Sequence, residues 1–236
     1  MTFQASFIAL PKSGAVLLDL DGTLANTDPL HAKAWRLIAQ SYFGKTFTWE
    51  EYSNACINHG LSPVEFLMQL GIDARSKEIQ TEKTTLFRRL MTTELGLAPG
   101  VKKFLDKVTS HGITVAIVSG GSRASVDAFL NTLWPGPAPA ITVSRDDTAQ
   151  HKPHPAPYNF ALTQLRRRPA DCVAIEDTDR GICSAHRAGL RSVLIQDESQ
   201  PSAAPADLIV TSLLRLSLTS DHNGGLLIKK KAASNQ

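Results

Sequence analysis

The alternation of short, unbroken apolar runs with helix-period segments limits the fold of this chain more than any other feature. Ala15–Leu20 reads AVLLDL. Comparable runs recur at Ile113–Val118 (ITVAIV), Ala140–Val143, Cys172–Ile175 and Ser192–Ile195, with Leu208–Val210 a weaker one. A strand without polar alternation is one covered on both faces, as in parallel sheets. Helical patterns lie between the runs: Val101, Phe104, Leu105 and Val108 follow i, i+3, i+4, i+7, and Gly112 stands where a glycine ends a helix. Strand and helix in this alternation predict an α/β core built on an open, mostly parallel sheet.

From about residue 28 to residue 95 the alternation stops and only helix signals remain. Asp28-Pro29 reads as a cap followed by proline at the first helical position. Thr48-Trp-Glu-Glu51 and Ser62-Pro-Val-Glu65 both fit the capping box. A longer helical pattern covers about Arg75 to Leu95. The predicted organisation is a helical domain at 28–95 inserted after the first strand of a discontinuous α/β core, 1–27 and 96–236.

The composition, 42% hydrophobic and 20% charged over 236 residues, is that of a chain able to bury a large core, and it argues against a disordered or coiled-coil protein. The net charge is +3, and Lys229, Lys230 and Lys231 carry as much, so the body is neutral. That leaves no electrostatic argument for nucleic acid or a membrane surface as partner. The segment from Gly224 to Gln236 is expected to be a frayed, solvated tail. Cys56, Cys172 and Cys183 are scattered and form no CxxC pair, which fits reduced thiols in a cytoplasmic protein. The first ten residues lack a basic leader region, and no stretch has the ~20 apolar residues of a membrane span. The oligomeric state is left open, with a monomer as the default.

Chemistry-bearing residues gather where the predicted strands end, which is where open α/β sheets bind their ligands. Asp19-Leu20-Asp21-Gly22-Thr23 closes the first buried run. Two acids one residue apart on an extended strand face opposite ways, but the Gly22 turn can bring both to one site. From average residue usage this pentapeptide is expected by chance in only about three in a thousand chains of this length. Ser119 with Gly120-Gly121 follows ITVAIV, so backbone N–H groups can approach an anion there. Lys152 lies in the stiff segment His151-Lys-Pro-His-Pro155, and Glu176-Asp177 ends CVAI with Gly181 just beyond. Acids, a hydroxyl, a lysine and a second acidic pair at successive strand ends suit a divalent cation and a phosphate.

With these residues in their order and spacing, the chain resembles the haloacid dehalogenase superfamily. Within it, the chain is most like the subfamily of β-phosphoglucomutase and small sugar-phosphate phosphatases. The likeness runs from about Val16 to Ile195 and includes the stretch IEDTDRGICSAHRAGL. It implies a Rossmann-like core with a small helical cap of the C1 type, hinged near Thr27 and Leu97. Asp19 would be the nucleophile, giving an aspartyl-phosphate, and Asp21 the general acid and base. Mg²⁺ would bind the Asp19 carboxylate, the Asp21 carbonyl and Asp177, with Glu176 bound directly or through water, while Ser119, Gly120 and Lys152 would hold the phosphoryl oxygens. The substrate would be a small phosphorylated metabolite, with His31, Lys33, Asn58 and His59 as cap residues that contact it.

Single positions separate the chemistries of that family. Asp21 argues against a dehalogenase, whose leaving halide needs no proton, and against a phosphonoacetaldehyde hydrolase, which lacks that acid. Thr23 replaces the valine frequent in the mutase motif. The segment Asn58–Val64 also has no arginine for the second phosphate a mutase must hold. The sequence HKPHPAPY, ending at Tyr158, is similar to phosphatases of deoxysugar or polyol phosphates. Ala156 stands there in place of an acid, which puts the local helix cap in doubt. The reading is a Mg²⁺-dependent phosphatase of a small sugar or polyol phosphate. A phosphosugar mutase and a non-catalytic phosphometabolite-binding protein stand as its alternatives.

Overall fold

The computed structural model describes residues 7–59, 61–197 and 202–232. The chain separates into two compact units, Met1–Ala25 with Leu97–Gln236, and Asn26–Gly96. In the first unit, strands β2 (Ala15–Leu18), β3 (Thr114–Val118), β4 (Ile141–Val143), β5 (Cys172–Glu176), β6 (Arg191–Ile195) and β7 (Leu208–Val210) form one parallel sheet in the order β4-β3-β2-β5-β6-β7. Every residue of β2 and β5 is buried, as uninterrupted apolar runs require of central strands. The chain moves from β2 to β3 on one side and later returns to β5 on the other. The carboxyl end of β2 is therefore the switch point of the sheet, the place where such folds open a crevice. Helices α5 (Val101–Ser110), α6 (Arg123–Leu133), α7 (Ala156–Leu165) and α8 (Asp179–Arg187) connect the strands. Tyr158, Ala161 and Leu162 of α7 pack with Leu17, Ala116 and Ala174 of the sheet in one core cluster.

The C-terminal segment departs from the expected tail. Leu226–Lys230 is strand β9, antiparallel to β8 (Leu216–Ser220) on one side and to β1 (Ile8–Leu10) on the other. Leu226 and Ile228 point inward and are fully buried, while Lys229 and Lys230 stay exposed. The glycines read as flexible belong to a hairpin turn in which Asp221 Oδ1 accepts from the N–H groups of Asn223 and Gly225. Residues 233–236 of the predicted tail lie outside the described residues.

The second unit is helical throughout: α1 (Asp28–Phe43), α2 (Trp49–Tyr52), α3 (Pro63–Gln69) and α4 (Lys77–Glu94). Thr48 and Ser62 both close complete capping boxes, each satisfying two backbone donors. The cap of α1 falls on Thr27, one residue earlier than expected. Trp35, Ile38, Phe47, Tyr52, Phe66 and Leu67 supply much of the unit's own core. Phe66 meets Phe47 and Tyr52 edge to face, at 5.1 and 5.8 Å between ring centres. After α2 the chain continues into a wide π-helical turn, Ser53–Asn58. Among the described residues no helix is long and apolar enough to cross a membrane.

Candidate active site

The site is built from the ends of adjacent strands. Asp19 follows β2, and its backbone N–H donates to the Ile175 carbonyl at 2.9 Å, so it continues the ladder on β5. Ser119 follows β3 and is fixed the same way by its N–H to Val143 O, at 2.8 Å. The chain then turns back at Gly22, which has a φ of 81°. A Cβ there would stand 1.8 Å from Asp177 Oδ2, so this turn admits only glycine beside the acid. The turn is closed by Gly22 N–H to Ala25 O, at 2.8 Å.

Lys152 sits at the centre. Its Nζ lies 2.6 Å from Asp19 Oδ1, 2.6 Å from Glu176 Oε1 and 2.7 Å from the Val118 carbonyl. Asp19 and Glu176 are both almost fully buried. Burial pushes the Asp19 carboxyl well up, and Glu176, Asp177 and Asp21 add to this while Lys152 opposes it. Burial works to lower Lys152, but the charges of Asp19 and Glu176 outweigh it and hold the ammonium above its usual range. At the β3 end, Ser119 Oγ accepts from the Gly121 N–H at 2.9 Å and reaches toward Asp21 Oδ2 at 3.4 Å. Gly120 lies exposed beside it.

The donor set fits a hard divalent cation. Asp19, Glu176 and Asp177 each offer a carboxylate oxygen, and these oxygens all lie within 4.8 Å of one another. Glu176 Oε2 is buried with no hydrogen-bond partner. Three carboxylates against one ammonium leave an excess of negative charge in a dry place, which is costly unless a cation balances it. Oxygen-only ligands suit Mg²⁺ rather than a softer metal.

Much of this support lies in tertiary contacts that the spacing of residues does not reveal. The Tyr158 hydroxyl donates to Glu176 Oε1 at 2.5 Å, and its ring lies 5.4 Å from the Lys152 ammonium. Helix α8 holds the lysine loop by its backbone: Arg180 donates to Lys152 O, Arg187 to Pro153 O and Ser184 to His154 O, all between 2.7 and 2.9 Å. Where Ala156 replaces an acid, the α7 terminus is not bare, because the Ala156 N–H donates to His154 Nδ1 at 3.2 Å.

Among the described residues, those expected to contact substrate from the helical unit each have a separate partner of their own. Lys33 is ion-paired with Glu94 at 2.6 Å. His59 Nδ1 lies 2.7 Å from the Asn54 carbonyl, and the Asn58 side chain lies outside the described residues. His31 stacks on Phe87, at 3.8 Å between ring centres, and its Nδ1 is 2.6 Å from Lys83 Nζ. Lys83 also lies over the Trp35 ring at 5.5 Å. A lysine one turn before Phe87 on α4 is a signal that helical spacing from His31 alone does not provide.

His31 yields a pH prediction for stability. Burial first, and then the Lys83 charge, hold its pKa well below 6.5. The unfolded chain therefore binds a proton at about pH 6.5 that the folded chain still refuses. Folding stability should fall as pH drops below about 6.5 and level off only below the folded pKa. His31→Gln should flatten the difference in denaturant midpoint between about pH 7.5 and pH 5.5. An unchanged difference would show that His31 is not its source.

An α/β sheet whose switch point gathers a buried aspartate, a second aspartate two residues on, a lysine, a serine and a further acidic pair defines a class of phosphate-handling hydrolases. The chain belongs to the haloacid dehalogenase-like hydrolase family, whose profile matches residues 16–195. It is 32% identical to the protein CbbY of Rhodobacter capsulatus over 78% of this chain and 86% of the relative. It is 27% identical to hexitol phosphatase A of Escherichia coli K12, over 90% and 97% of the two chains. The crystal structure of a CbbY mutant from Rhodobacter sphaeroides in complex with xylulose-(1,5)bisphosphate is similar at a TM-score of 0.72 and 27% identity, covering 86% of this chain and 96% of that one.

Proposed function

We propose that this protein is a Mg²⁺-dependent phosphatase of small phosphorylated sugars or polyols that works through an aspartyl-phosphate on Asp19. The enzyme is a phosphomonoester hydrolase. The observation that carries the finer reading is the contact of Asp19 and Glu176 with one buried ammonium, beside Asp177. That arrangement suits an anionic nucleophile meeting an anionic substrate. Hexitol phosphatase A and the CbbY mutant in complex with xylulose-(1,5)bisphosphate, to which this chain is similar, support the substrate class.

In the first half-reaction an Asp19 carboxylate oxygen attacks phosphorus, and the bond from phosphorus to the sugar oxygen breaks. Asp21 gives its proton to that oxygen. In the second half-reaction Asp21 takes a proton from water, whose oxygen attacks phosphorus, and the Asp19–phosphorus bond breaks to release inorganic phosphate. Lys152 and the Ser119–Gly120 turn hold the phosphoryl oxygens as charge shifts among them. Asp19, the Asp21 carbonyl and Asp177, with Glu176 directly or through water, would hold the cation, which would supply Lewis-acid stabilisation of phosphoryl charge when bound. Substrate choice is assigned to the helical unit, with His31, Asn58 and His59 as its candidates. Lys33 would have to leave Glu94 to take part.

The acid role of Asp21 predicts an asymmetry. Asp21→Asn should slow release of the leaving group in the first turnover by about 10² or more for alkyl phosphates, and clearly less for aryl phosphates, because a phenolate leaves without a proton. Equal losses on both substrates would remove Asp21 from the acid role. The function itself is tested by Mg²⁺-dependent phosphate release from a panel of hexitol phosphates, sugar monophosphates, xylulose-(1,5)bisphosphate and phosphoglycolate. Isomerisation of β-glucose 1-phosphate is followed separately. Release from a sugar or polyol phosphate is expected. Isomerisation without release would make the protein a mutase, and no turnover at all would make it a binding protein.

A further inference from the structure

Glu176 is held by an asymmetric clamp. Its Oε1 accepts from two donors, the Tyr158 hydroxyl at 2.5 Å and the Lys152 ammonium at 2.6 Å. Its Oε2 accepts from none, although it is buried. The carboxylate packs closely against Gly181: a Cβ there would stand 1.9 Å from Oε2 and 2.1 Å from the carboxyl carbon, so this position of α8 admits only glycine. Tyr158 itself is fully buried in the core and comes from a different element, α7. Its ring is fixed by apolar packing, so the hydroxyl is a donor in a set position rather than a mobile partner.

We infer that Tyr158 is a positioning residue for the cation site: by occupying Oε1 together with Lys152, its hydroxyl fixes the rotation of the Glu176 carboxylate and keeps Oε2 as the ligand oxygen. This inference rests on the Mg²⁺ reading above and deepens it. Without the hydroxyl, Lys152 alone holds Oε1, and the tilt of the carboxylate plane is set by one donor instead of two. Outer-shell hydrogen bonds of this kind typically change metal affinity by about 10- to 100-fold.

Tyr158→Phe keeps the ring and removes only the donor, so the core packing is retained. The probe is the metal alone, without substrate: Mg²⁺ affinity by calorimetry, and Mn²⁺ affinity by its electron paramagnetic resonance signal. The expected result is an affinity about tenfold weaker for both ions in the variant, with near-native thermal unfolding in chelator. Turnover in saturating Mg²⁺ should then be largely restored. In a Glu176→Gln background the same substitution should change affinity much less, because the clamp has lost its charged partner. Unchanged metal affinity in Tyr158→Phe, or an equal effect in both backgrounds, would overturn the inference. So would a native protein that binds neither ion. A native protein that binds Mg²⁺, with the tenfold loss in the variant, but hydrolyses no sugar phosphate would overturn the proposed function and leave the role of Tyr158 standing.

Discussion

Asp19→Asn should lower turnover of the preferred sugar phosphate by about 10³-fold or more while leaving the fold intact. An amide oxygen is a poor nucleophile toward a phosphate ester, so the covalent half-reaction has no substitute on this chain. The fold should survive because the substitution removes a buried charge rather than a packing group. Asp19 is almost fully buried, and its charged form is disfavoured by burial and by the nearby carboxylates of Glu176, Asp177 and Asp21. Replacing one of several crowded acids relieves that repulsion, so the thermal midpoint in chelator should be equal to or above that of the native protein. Turnover and thermal unfolding measured on the same preparation separate the two effects. Retained turnover would exclude Asp19 as nucleophile, and a collapse of stability would mean that its ion pair with Lys152 outweighs the repulsion.

Lys152→Met should have the opposite profile, costing both stability and turnover. The ammonium bridges Asp19 and Glu176 and also donates to the Val118 carbonyl, with only 11% of its side chain exposed. Removing one partner of a buried ion pair leaves the other charge without compensation, at a typical cost of about 3–5 kcal/mol. Here two carboxylates are left instead of one. Denaturant unfolding in chelator should show the full loss, and added Mg²⁺ should recover part of it, since the cation replaces some of the missing positive charge. A midpoint unchanged from the native protein would show that solvent or rearrangement already compensates these acids.

Much of the site's core was readable from the sequence because Asp19, Ser119 and Glu176 fall where apolar runs end, whereas Lys152 was marked only by its stiff proline-rich segment. Asp19, Ser119 and Glu176 sit where β2, β3 and β5 end, and strand ends are marked by where the hydrophobic pattern stops. The supports of those groups were not readable. Tyr158 meets Glu176, and Lys83 meets His31, only because separate elements pack together, and no local periodicity encodes such a meeting. The C-terminal hairpin was misread for a different reason. A glycine pair followed by a lysine run has the composition of a tail, and the inward Leu226 and Ile228 are too short an alternation to outweigh it. Their partner β1, at Ile8–Leu10, lies at the other end of the chain, where no local signal links it to them.

The phosphorylated form of Asp19 can be trapped by quenching the enzyme in acid during turnover. Asp21→Asn with an aryl phosphate is the best case. The phenolate leaves without a proton, so Asp19 is still phosphorylated, while the water that would release it is no longer activated. One phosphoryl group on the peptide containing Asp19, formed together with a burst of one phenol per enzyme, is the predicted result. Phenol release at a steady rate with no burst, and an unmodified Asp19 peptide, would contradict the account.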